Sequence, residues 1–156
     1  MLIYLMIAIA LIIIAGLSWY AASLLLQLKK QNENQRAQRT ERNLNIAESI
    51  EGIVLAMEQG QCDYSEGVIR LCVLLDHFAP EKPVDFQQTY PQMHLFYSQI
   101  KDMATHSKRA ALPKNERMKQ DVERLKYEAE SKAVIEQNEL PKLKEYITLF
   151  LQQNTK

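Results

Sequence analysis

The sequence predicts an all-α protein: one N-terminal transmembrane helix and a small cytoplasmic helical bundle of about four to five helices. Three observations carry this. The first 28 of the 156 residues hold no charged side chain, and all 38 charges lie beyond them. Past residue 42, apolar side chains recur at steps of three and four. No alternating apolar–polar run with a hairpin turn occurs, and no internal repeat. The same residues divide the chain into an anchor (1–28), a basic polar linker (29–42) and a helical domain (43–156).

The opening segment, MLIYLMIAIALIIIAGLSWYAASLLLQL, exceeds the roughly 20 apolar residues that cross a hydrocarbon core. A lone segment in lipid must pair its backbone internally, so it forms a helix. A cleaved signal peptide would need a basic start, a shorter apolar run and a small-residue cleavage site, and Tyr20-Ala21-Ala22 is a poor one. Tyr4 and the pair Trp19/Tyr20 are placed for the two membrane interfaces. Lys29, Lys30, Arg36, Arg39 and Arg42 follow the run, against Glu33 and Glu41. Cations stay on the cytoplasmic side, so the N-terminus is expected outside and the domain inside the inner membrane. This flank also suits anionic headgroups, which admits a lipid-surface sensor as one role.

A first domain helix is predicted over Asn43–Gln59, with Ala47, Ile50, Val54 and Met57 inward and Gly60 as its stop. Gly52 sits inside it, at a cost of about 1 kcal/mol relative to Ala unless close helix packing requires it. A second helix starts at Asp63, where Asp63 and Glu66 have capping-box spacing. Its stripe is Tyr64, Val68, Leu71, Cys72, Leu75 and Phe78, ended by Ala79-Pro80. Phe86 to Met103 reads as a third helix, or as two pieces divided near Pro91. Pro113 opens a long helix with Met118, Val122, Leu125, Ala129 and Ala133 as its narrow apolar stripe. Pro141 should end or kink it. Leu143, Tyr146, Ile147, Phe150 and Leu151 form a short apolar last helix, expected to fold onto the bundle or else to bind a partner.

The chemistry-bearing residues are sparse. Cys62 and Cys72 are ten apart, which fits neither a redox pair nor a zinc site. Asp76-His77 point apart on a helix, and His94 and His106 stand alone, so no metal or other cofactor is expected. No phosphate loop or nucleophile elbow occurs, and the expectation is that the chain is not an enzyme. Equal basic and acidic counts, 19 each, argue against nucleic acid. The polar set that stands out is Glu66, Arg70 and Asp76 with Thr105, His106, Arg109, Lys114 and Arg117. Glu66 and Arg70 are four apart, in the order that favours an ion pair worth a few tenths of a kcal/mol, and Arg70 lies beside the apolar stripe, where a buried guanidinium would need a carboxylate. The set reads as a structural or interaction network. Lys108, Arg109, Lys114, Arg117 and Lys119 are diluted by Glu116, Asp121 and Glu123 into a solvated face.

Four blocks carry a resemblance: Glu48-Ser49-Ile50, SEGVIRLCVLLD ending at Asp76, Thr105-His106, and LPKNERMKQDVER from Leu112 to Arg124. The chain resembles a bacterial domain-of-unknown-function family of short inner-membrane proteins with one N-terminal anchor. The resemblance implies a Gram-negative inner-membrane setting and supplies no activity, cofactor or site residue.

The expected function is that of a single-pass membrane protein whose domain holds another protein, or a second copy of itself, at the bilayer. No small-molecule substrate is identified. The alternative is a membrane-associated enzyme with a site near Asp76, His106 and Arg109, which requires those groups to converge.

Overall fold

The computed structural model describes residues 1–104 and 106–154, with the side chains at 2, 4, 5, 8–13 and 106–108 outside the description. The elements are α1 (Leu2–Glu58), α2 (Tyr64–His77), α3 (Phe86–Thr89), α4 (Pro91–Ile100), α5 (His106–Ala111), α6 (Lys114–Val134), a π-helical turn (Ile135–Glu139) and α7 (Leu140–Asn154). The described residues are all-helical, without a strand.

They divide into two units, Met1–Glu41 and Arg42–Lys156. In the first, every described side chain is exposed except the intermediate Ser23. Among the described residues no helix is long and apolar enough to cross a membrane. Nine side chains of the charge-free run fall outside them, Tyr4 included. The apolar length of that run is therefore a property of the sequence.

The second unit begins with the last turns of α1. The predicted linker and first domain helix both fall within α1. Ala47, Ile50 and Val54 are fully buried along one face. Asn43 is buried too: its amide donates to the Ala79 carbonyl at 2.7 Å and accepts from the Ala79 N–H at 3.2 Å. Gly60, at φ 65°, ends the helix. The Gln61 N–H reaches the Ala56 carbonyl and the Gly60 N–H reaches that of Met57, at 2.8 and 3.1 Å. These are the two bonds of a Schellman stop.

Asp63 starts α2 as predicted, its carboxylate accepting from the Glu66 N–H at 3.3 Å. Val68, Leu71, Cys72 and Leu75 are buried against α4. The tight approach falls at Gly67, where a Cβ would strike the Met57 thioether, while Gly52 faces open space. The third predicted helix divides at Tyr90. Asp85 caps α3 through the Gln88 N–H at 3.1 Å, and Pro91 takes the first position of α4, where a missing N–H costs nothing.

Met93, Phe96 and Ile100 of α4 complete the core with Ile135, Leu143 and Ile147. Each large side chain buried here contributes about 1.5–3 kcal/mol. The last helix folds onto its own bundle: Leu143 and Ile147 are fully buried. Phe78 meets Phe150 edge-on at 4.9 Å, and Phe86 meets Tyr146 at 6.0 Å. Pro141 does not stop the helical path. It has no N–H to donate, and the wider turn over Ile135–Glu139 gives its ring room, with the Leu140 N–H bonding five residues back to Ile135.

The apolar stripe of α6 is turned outward. Met118, Val122 and Leu125 are 57, 61 and 65 % exposed, and Ala129 and Ala133 also face solvent. The bundle seats α6 by its polar edge instead.

Candidate functional site

That polar edge builds a cleft of about 630 Å³, lined by Asp63, Ser65, Glu66, Ile69, Arg70, Arg109 and Arg124. The α2 cap supplies Asp63, and the first two turns of α2 supply Ser65, Glu66, Ile69 and Arg70. Arg109 comes from α5 and Arg124 from α6.

Arg109 grips Asp121 with two parallel hydrogen bonds, Nε to Oδ1 at 3.1 Å and Nη2 to Oδ2 at 2.5 Å. These bonds hold the Asp121 carboxyl below the usual carboxylate range. The charges of Arg109, Arg124 and Arg117 act in the same direction, against partial burial. The same pair raises the Arg109 pKa. Arg124 donates to the Ala104 carbonyl at 3.4 Å, and the Ala104 N–H donates to Gln120 at 3.2 Å. Ser65 donates to Glu128 at 3.2 Å. Lys132 lies 5.1 Å over the Tyr64 ring. Burial, then the charges of Glu136, Glu128 and Glu139, push the Tyr64 phenol well above its ordinary pKa.

Arg70 forms the predicted one-turn pair with Glu66 but is not buried. Its side chain is 59 % exposed and pairs at 2.5 Å with Glu66, one turn away. The buried stripe of α2 passes it by, so no buried charge needs compensating. An exposed pair of this kind is worth about 0.3–0.5 kcal/mol.

Glu66, Arg70 and Arg109 thus share the cleft, whereas Arg117 is not among its lining residues. Lys114 faces away, beside Met118 and Val122 on the outer groove of α6. Asp76 is exposed and is not among the residues lining the cleft. Thr105 and the side chains of His106 and Lys108 lie outside the described residues. The linker cations Lys29, Lys30, Arg36, Arg39 and Arg42 are all exposed. Among the described residues no three His, Cys, Asp or Glu side chains come together to hold a metal ion. Cys72 is buried and its thiol is pushed up to about 12, first by burial and then by the charges of Asp76 and Glu139. That makes it a poor nucleophile at neutral pH.

A family model described as "Protein of unknown function (DUF2489)" matches residues 14–140. The chain belongs to this family. The DUF2489 match contains the whole cleft and all four resemblance blocks. It stops before Leu143, so most of α7 falls outside it. A Haemophilus influenzae protein, described as an uncharacterized protein, is 39 % identical over 135 residues, covering 86 % of this chain and 89 % of its own length. No solved structure matches at a significant level.

In this DUF2489 chain the sequence reading missed four residues that organise the polar edge and the helix ends: Asp121, Arg124, Glu139 and Asn43. Only Asn43 carried a local signal, an amide at the edge of an apolar stripe. The partners of the others lie on separate elements.

Proposed function

We propose that the chain is a single-pass inner-membrane protein whose cytoplasmic helical domain works as a protein-interaction or tethering module. One observation carries the reading: 28 residues without a charge, followed within fourteen by five cations and two carboxylates. Twenty-eight residues at about 1.5 Å each exceed a hydrocarbon core of about 30 Å. The cations after the run hold that side in the cytoplasm and leave the N-terminus outside.

The interaction half of the reading is supported by α6. A domain that turns Met118, Val122 and Leu125 to solvent keeps an apolar surface suited to a partner. The bilayer is one partner, and another protein or a second copy is the other.

The test is extraction of membranes with alkaline carbonate. The full chain is expected to stay with the pellet and to be released by detergent. Recovery in the carbonate supernatant contradicts the anchor.

A further inference from the structure

Among the described residues, every helix except α5 places an apolar side chain in the core or packed against it. The sequence of α5, HSKRAA, has none larger than alanine to offer. Leu112, just beyond it, is half-buried and belongs to neither group. Apolar burial is the main force that seats a short helix on a fold, and α5 does without it.

What seats α5 is polar. The Ala104 N–H donates to Gln120 at 3.2 Å, and the Ala104 carbonyl accepts from Arg124 at 3.4 Å. These two bonds pin the approach to α5 onto α6. At the other end Pro113 leads directly into α6. Between the two ends, the grip of Arg109 on Asp121 is the one side-chain bond that α5 makes among the described residues. Both partners are partly exposed, at 42 and 36 %. Water and salt weaken a pair so placed. An element with little apolar contact and a solvated fastening opens before the core does.

The cleft gives that opening a consequence. Its walls come from α2 with its cap and from Arg124 of α6, and Arg109 is the lining residue that α5 supplies. We propose that α5 is a strap across this cleft, pinned at both ends and buckled by Arg109 and Asp121, which lifts as a unit while the apolar bundle stays folded. Lifting removes one wall of the cleft and frees the Asp121 carboxylate on α6. Access to the polar edge between α2 and α6 is thus gated by a contact within the chain. The strap belongs to the helical domain and does not depend on the anchored reading above.

The experiment is trypsin digestion of the folded full chain in detergent, with each cut located by mass spectrometry. A protease acts on the locally opened form, so its rate follows the population of that form. Cuts after Lys108 or Arg109 read the lifted strap, and a cut after Arg70 in α2 reads opening of the bundle. The strap cuts are expected before the Arg70 cut. Asp121→Asn should speed them by about two- to fivefold, the range that an exposed ion pair supports, and leave the Arg70 cut unchanged. Asp121→Glu keeps the carboxylate and should stay closer to wild type. Arg109→Gln, read at Lys108, should match Asp121→Asn, and the double variant should gain nothing further, as two halves of one buckle require. Strap cuts that Asp121→Asn does not speed overturn the proposal. So do strap and Arg70 cuts that appear together or rise equally in the variants, and gains that add in the double variant.

Discussion

Glu139 caps α4 from far along the chain, its carboxylate accepting from the Met93 N–H, 46 residues before it, at 2.7 Å. A second bond comes from the Gln92 N–H at 2.9 Å. Tyr90, the residue at the N-cap of α4, offers no side-chain bond, and Pro91 follows. The π-helical turn thus ends on the side chain that satisfies the start of α4, and Glu139 is itself 5 % exposed.

Removing that carboxylate strands one buried and one part-buried donor. Glu139→Ala is expected to destabilise the full chain in detergent by about 1–3 kcal/mol. Glu139→Gln keeps one acceptor and should lose less. Urea midpoints for the three proteins check the order, and an unchanged midpoint for the alanine variant contradicts the cap.

The Arg109–Asp121 pair sets an acid-side dependence. The Asp121 pKa is lowered in the folded chain. Its contribution is therefore complete above the ordinary carboxylate value of about 4 and is lost as pH falls through the folded value. Asp121→Asn removes this part. The variant's melting temperature should fall less steeply than the wild type's below about pH 4. Parallel curves would show that the pair adds nothing.

The two thiols should separate by burial. Cys62 is half-exposed and Cys72 is buried. At pH 7.5 a maleimide is expected to add once per folded chain, at Cys62, and twice in denaturant. Mass spectrometry reads the count, and rapid double labelling of folded protein contradicts the packing of α2.

The glycines make opposite predictions. Gly52 lies in the helix with open space at its Cβ position, so Gly52→Ala should stabilise by about 1 kcal/mol. Gly67 faces the Met57 side chain, so Gly67→Ala forces that thioether aside and should stabilise less or destabilise. Met57→Ala in the same chain should recover the difference. Equal gains at both glycines would contradict the close approach.

Local signals in the sequence located much of this fold. The Gly60 stop, the Asp63 cap and the α2 stripe each depend on residues within one or two turns. The α6 stripe shows where periodicity runs out. A three- and four-residue rhythm defines a face but does not say what that face meets. Asp121, Gln120 and Glu128 bind α6 through Arg109, Ala104 and Ser65, which belong to other segments, and so turn the apolar residues outward. Glu139 escaped notice for the same reason: nothing near it in the chain announces a cap 46 residues away. In the candidate cleft, Glu66 and Arg70 were legible as a one-turn pair. The grip of Arg109 on Asp121 depends on how α5 packs against α6.

Labelling intact spheroplasts with a membrane-impermeant maleimide tests the central claim most directly. Ile3→Cys in a Cys62→Ser background should react before permeabilisation, and native Cys62 should react only after it. Labelling of Cys62 in unbroken spheroplasts would contradict an anchored chain with its helical domain inside.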